Sequence, residues 1–386
     1  IFFSLSTFSQ SAPPIRVQTM DTMDISNGNQ QVIDWVLTKL HGGGGDFPDS
    51  TWDGINYAGH RAAFGYYWDG QGLNGAGTGM DTGLIISNGR VFRAEQANTT
   101  GFSTDYFNTP GDEDLKTMYD LIFAQNGSGL THGIPLDTTR DAASLEFLYR
   151  PYGDTITLRY VFASDEYQFK RADLDVYSDF SGYSGHPDQM YDIFGISIDF
   201  QSKPFVNEAL LPPIACPSQD ASCWVNLYGV NKSSNSNFYL GNDANGNPPT
   251  GNTYDGQTNN SNSLVIRKEV QPCGIYKVKI AIEDFWYVEQ DPDIIPRGGQ
   301  INSSLFLGGG SLTGGKSNPT CTTSYSFDGV GANDPDFDGQ LIEGGCRDLL
   351  VTFKLDFPVS AIDTAYDIPF RINSEIYRDS VNISYA

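Results

Sequence analysis

The sequence predicts a mainly β protein: a jelly-roll-like β-sandwich with one or two short helices, followed by part of an Ig-like β domain. Three observations carry this. Long runs alternate apolar and polar residues with a period of two, as a strand with one buried face requires. Turn formers, Gly 42 and Pro 20, punctuate those runs. And 386 residues that are 39% hydrophobic and 13% aromatic suffice for a sizeable core.

The chain opens on IFFSLSTFSQSAPP, which reads as the end of a signal-peptide apolar region with a cleavage zone at Ser9–Ala12. If ordered, the same segment would be a strand docked in its own molecule or exchanged with a neighbour. Residues 1–24 are therefore set apart. In NGNQQVIDWVLTKLHGGGG, Val32, Val36 and Leu40 recur at four-residue spacing, with Ile33 and Leu37 beside them. This predicts a helix capped by Asn27 or Asn29 and stopped by the glycines from Gly42. A second, shorter helix is expected through DEDLKTMYDLIF, with acids at its N-terminal end where the helix dipole favours them.

Strands follow. ASLEFLYR puts Leu145, Phe147 and Tyr149 on one face, and DTITLRYVFA does so for Ile156, Leu158, Tyr160 and Phe162. DIFGISIDF aligns Phe194, Ile196, Ile198 and Phe200, and GIYKVKIAIED aligns Tyr276, Val278, Ile280 and Ile282. SLVIRKEV and SSLFLGG add edges or partners, whereas the Asn/Gly/Ser-rich residues 231–262 read as a surface loop. The sandwich is thus placed at 25–312, a Gly/Ser/Pro linker at 313–320, and the start of a further β domain at 321–386.

A formal charge of −24 disfavours nucleic acid and anionic membranes as partners and favours cations. No apolar run is long enough for a transmembrane helix. Among five cysteines, Cys216 and Cys223 have a spacing that closes a small disulfide; zinc is the competitor, without CxxC or a nearby histidine to support it. Cys321–Cys346 is a weaker expectation, and one thiol is left over. The cysteines favour an oxidising, external compartment.

HGGGG at His41–Gly45 imitates a lipase oxyanion loop, but the GxSxG nucleophile elbow is missing, so a helix stop is the better reading. Four histidines show neither HExxH nor a legible triad, and the expectation is a protein that is not an enzyme. In NDPDFDGQLIE, Asp334, Asp336 and Asp338 precede Gly339 as in a calcium loop, yet the closing glutamate falls two positions early. An acidic turn competes with a Ca2+ site there.

The stretch YVFASDEYQF poses a sharper question, because a buried strand ends in two carboxylates. Asp165 and Glu166 end one long strand, Asp192 begins another, and Asp284 follows Glu283 at the end of a third. Strand ends of a sandwich collect at its rims, so these acids are candidate Ca2+ ligands, with separately solvated strand ends as the alternative. Six Asp-Ser/Thr matches nominate Thr22, Ser50, Thr138, Thr155, Thr364 and Ser380 for O-glycosylation, a pattern resembling that of Bacteroidota surface proteins.

Taken in order, INYAGH, GLIISNGRV, DAASLEFLYRPYGDTITLRYVFASDEY, YDIFGISI and CGIYKVKIAIEDF resemble the choice-of-anchor L domain family over about residues 25–310. The loop carrying Cys216 and Cys223 is longer than the family pattern, and INSSLFL has Asn302 where the family tends to show Asp. EGGCRDLLVTF resembles an Ig-like or Calx-β-type repeat. The resemblance implies a long multidomain protein exported by type IX secretion and held at the outer membrane, some relatives being gliding adhesins. It supplies no catalytic residues. The function expected is therefore the N-terminal portion of a cell-surface adhesin, with surface glycans or a substratum, other domains of the same chain and the secretion or attachment machinery as partners. The alternative is a carbohydrate-binding module of a secreted polysaccharide-degrading enzyme.

Overall fold

The computed structural model describes residues 15–20, 28–48, 55–70, 78–95, 107–125, 139–168, 170–171, 176–177, 192–200, 205–227, 229–230, 234–241, 254, 256–258, 264–285, 302–315, 323–328, 350–355, 365–372 and 375–382. In chain order the first half holds β1 (Arg16–Thr19), α1 (Gly28–Trp35) with a π-helical continuation (Val36–Leu40), β2 (His41–Gly43), β3 (Gly45–Asp46), β4 (Ile55–Ala58), β5 (Phe64–Trp68), β6 (Gly83–Ser87) and α2 (Glu113–Gln125). The sandwich continues with β7 (Thr139–Pro151), β8 (Thr155–Ser164), β9 (Lys170–Arg171), β10 (Val176–Tyr177), β11 (Ile193–Phe200), β12 (Tyr239–Gly241) and β13 (Gly256–Thr258). Then come β14 (Val265–Glu269), β15 (Tyr276–Phe285), β16 (Ser303–Gly308) and β17 (Leu312–Thr313). Two further pairs are formed by β18 (Thr323–Asp328) with β19 (Leu350–Leu355), and by β20 (Ala365–Ile372) with β21 (Glu375–Asn382).

The β-sandwich class is as expected. One sheet runs β1-β5-β6-β16-β8-β13-β12, with β14 and β17 also on β8 and β2 on β17; the other runs β11-β15-β7-β3, with β4 on β7. All pairings in the two sheets are antiparallel except the short β2–β17 contact. Leu145, Phe147, Tyr160, Phe162, Phe194, Ile196, Val278 and Ile280 form one continuous core between the sheets, each at most 2% exposed. Those are the faces that the alternation assigned inward. Phe162 and Phe194 stack across the gap with ring centroids 4.7 Å apart.

The outer faces are covered too. Val161, Ala163, Tyr67, Ile85 and Phe306 pack under Ile15, Val91 and Ala94. On the opposite side, α2 lays Leu115 and Met118 on Ile193 and Ala281. A Cβ at Gly195 would stand 2.8 Å from Phe205 and 2.9 Å from the Met118 sulfur, so glycine permits this close approach. Asp112 caps α2, its Oδ1 accepting the Asp114 and Leu115 amides at 3.0 and 3.3 Å.

Several local expectations change. The first helix ends at Leu40, where His41 turns extended, and His41–Gly43 become a strand on β17 rather than a simple stop. The polar tract 231–262 is not wholly a loop: Gly256 and Gln257 pair with Ser164 and Ala163, while Tyr254 is fully buried. The segment Arg16–Thr19 pairs with β5 of its own sandwich. Among the described residues β11 is an edge strand, and its outer side is interrupted halfway, where the Ile196 amide donates to Asn207 Oδ1 (3.0 Å) and the Ile196 carbonyl accepts the Glu208 amide (2.7 Å).

Candidate functional site

Side-chain parity brings the acids named by the sequence to one rim. On β8, Tyr160 and Phe162 face the core and Ser164 continues that face. There Ser164 Oγ accepts the Glu166 amide at 2.9 Å, and the chain enters a 3-10 turn over Asp165–Gln168. The fold-back lets Glu166 Oε2 accept the Asp192 amide at 2.9 Å. Asp192 precedes β11 on the parity of Phe194, and Ile193 pairs with Glu283, which sets Asp192 beside Asp284. The Asp284 and Asp192 carboxyls lie close enough to raise one another's cost of ionisation.

The rim is sealed. Asp165, Glu166, Asp192 and Asp284 are 1%, 5%, 2% and 2% exposed, so the expectation of solvated strand ends gives way to buried carboxyls. Burial, followed by repulsion from Asp192, pushes Glu166 well above the usual carboxylate range, against the pull of the Asp192 amide. Burial likewise raises Asp284, reinforced by Asp192 and Glu166. Asp165 acts on Glu166 more weakly than Asp192 does. The Oδ1 atom of Asp284 has no hydrogen-bond partner. Among the described residues, no group of three or more His, Cys, Asp or Glu side chains stands as a ready metal-ligand set.

Uncharged polar groups from β6 and β16, in the same sheet as β8, lie beside this rim. Ser303 donates its amide to Asn88 Oδ1 (2.8 Å), Ser87 Oγ donates to the Ser303 carbonyl (2.7 Å), and the Asp165 amide reaches the Asn302 carbonyl. A Cβ on Gly89 would lie 2.3 Å from the Asn302 amide, so glycine lets Asn302 lie flat against this turn.

Two neighbours of the rim serve other ends. Glu283 has the opposite parity and faces α2, where its Oε2 accepts the Asp112 amide at 2.7 Å. Burial raises its pKa, with that hydrogen bond opposing. Asp141, which the sequence reading missed, is 1% exposed and left-handed at φ 52°. Its carboxylate accepts the Phe107 and Thr109 amides at 3.0 and 2.8 Å, tying the stretch before α2 to β7. An aspartate opening a strand, a residue type that tolerates left-handed backbone, was its only signal.

Lys279 lies on the α2 side of β15, its Nζ 2.8 Å from Asp112 and 2.6 Å from Asp114. Burial lowers its pKa, but hydrogen bonds to Asp112 and Asp114 outweigh that and the net shift is upward. Near the outer end of β5, Tyr66 and Trp68 stack with centroids 6.0 Å apart and planes at 24°, Trp68 being 37% exposed. Lys39 Nζ sits 5.1 Å from the Tyr66 ring.

Cys216 and Cys223 form the expected disulfide. It closes a small loop inside the excursion spanned by the Leu210–Trp224 bridge, where Ile214 is 93% exposed. Cys273 is disulfide-bonded as well. Both cysteines of the expected Cys321–Cys346 bridge lie outside the described residues, as do Asp334, Asp336, Asp338, Thr22, Ser50, Thr138 and Thr364. Thr155 opens β8 half-buried, and Ser380 lies within β21.

Among the described residues, no helix is long and apolar enough to cross a membrane. A family model described as "Choice-of-anchor L domain" matches residues 29–313. No curated protein and no solved structure gives a significant match.

Proposed function

We propose, from the premise that this chain belongs to the choice-of-anchor L domain family, that it is a non-enzymatic adhesion module of a multidomain extracellular protein. Membership of that family makes it a surface-associated domain. The observation that carries the finer reading is the match spanning residues 29–313, nearly the whole sandwich, in a family that is not a known enzyme family. The Cys216–Cys223 bridge supports an oxidising location outside the cell. The enclosed rim supports a structural use of its acids, since carboxyls at most 5% exposed admit an ion or a proton but not a polymer chain. Beads coated with the full chain should stay on glass or on cell-surface polysaccharide under flow longer than beads coated with an inert protein. Equal detachment would sink the reading.

One observation favours the second reading, a carbohydrate-binding module. Tyr66 and Trp68 form a paired aromatic platform with Lys39 beside it, and near-parallel rings suit stacking on a sugar face. Glycan-array binding by the full chain that disappears in Trp68→Ala would move the assignment to that module.

A further inference from the structure

We propose that the sealed rim between the sheets is a site for one calcium-class divalent cation, held by the carboxylates of Glu166, Asp192 and Asp284. The three belong to separate strand ends, and each is placed by backbone geometry rather than by a flexible loop tip. Ser164 folds Glu166 inward, the Glu166–Asp192 amide contact fixes the second acid, and the Ile193–Glu283 register fixes the third. Three acids so placed, none more than 5% exposed, repel one another unless something positive lies among them.

A second observation points to a ligand. Asp284 is 2% exposed and faces Asp192, yet its Oδ1 atom has no hydrogen-bond partner. A buried carboxylate oxygen without a donor is costly, and coordination to a cation removes that cost. The donor set chooses the metal class. It is all oxygen, without histidine or cysteine, so hard cations are favoured over zinc or copper. An enclosed site leaves little space for the several waters that magnesium retains, whereas calcium accepts irregular sets of protein oxygens. Because the described side chains do not form a closed ligand set as they stand, binding should tighten the rim and fasten β8 of one sheet to β11 and β15 of the other.

The test uses the full chain. Calcium, magnesium or a chelator is added, and melting is followed by calorimetry, with isothermal titration giving the stoichiometry. Calcium at about 100-fold excess over its Kd should raise the melting temperature by about 5 °C. Magnesium should do much less. In Asp284→Asn and Glu166→Gln the calcium-dependent rise should vanish, while melting in chelator should equal or exceed that of the unaltered chain, because one repelling charge is gone. A merely structural carboxyl would instead lower melting in both conditions. Absence of a calcium rise in the unaltered chain overturns the site, and so does a rise that survives in both variants. Should the variants fail to fold, a titration of the unaltered chain showing no saturable calcium site would overturn it alone.

Discussion

Replacing Lys279 by methionine should destabilise the sandwich by about 3 kcal/mol, and the structure says which part of the contact carries that figure. The Lys279 side chain is 9% exposed and its Asp112 partner 12%, so this pair is buried and its breakage falls in the range of ~3–5 kcal/mol. The Asp114 side chain is 42% exposed, and its share is at most a few tenths because water screens it. Methionine keeps most of the apolar stem, and the ammonium's contact with the Phe205 ring, 5.7 Å to the centroid, is a minor loss beside the ion pair. What remains is Asp112 without its cation, close to Glu283. Urea unfolding followed by tryptophan fluorescence should show a lower midpoint with unchanged slope, and melting should fall by about 6 °C. Lys277→Met supplies the control, because its bridge to Glu146 has 46% and 30% exposed partners and should cost under ~0.5 kcal/mol. The upward shift of Lys279 means that the folded state holds this proton more tightly. Its contribution is therefore complete below the ordinary lysine value and disappears as pH rises through the raised one. A Lys279→Met loss below ~1 kcal/mol, or one equal to the Lys277 control, would refute the argument that burial rather than proximity gives the pair its strength.

Other outcomes follow from the same coordinates. Phe162→Ala should cost about 3–5 kcal/mol, since it empties a fully buried position and removes the stack on Phe194, whereas a cost under ~1 kcal/mol in chemical denaturation would mean that the sheets do not meet there. Converting both Cys216 and Cys223 to serine should cost about 2 kcal/mol from loop entropy at a separation of 7, with the rest of the sandwich still folded by circular dichroism. His60 is held below its usual pKa by burial and by Arg90, and its Nδ1 accepts the Ala62 amide at 3.2 Å. Its neutral form therefore supports the fold above about pH 6.5, and that support fades as pH falls through this value towards the lowered one. Between pH 7.5 and 5, His60→Asn should lose less stability than the unaltered chain; equal slopes would contradict this.

Much of this architecture was legible because β7, β8, β11 and β15 are long enough for alternation to show, and each buries one face on the same core. The strand ends also named Asp165, Glu166, Asp192 and Asp284 as candidates for one rim, with separately solvated acids as the alternative; in the structure all four are buried. Their burial was not legible, because solvent exclusion depends on strands distant in sequence, notably the Asn88 and Ser303 pair beside the rim. Strands of three residues such as Gly256–Thr258 carry no readable period, and His41–Gly43 owe their extended form to a partner some 270 residues away. Glycines that stop a helix and glycines that pair with a strand look the same in one dimension.

The interruption at Ile196 has a wider consequence. A sheet's outermost strand normally offers a ladder of open donors and acceptors to any passing extended chain, including another copy of itself. Here the molecule spends one asparagine and one glutamate amide to occupy the middle of that ladder. A protein crowded among identical neighbours then has no uninterrupted template along β11. Wherever such copies do meet, they are left to recognise one another by side chains rather than by merging their sheets there.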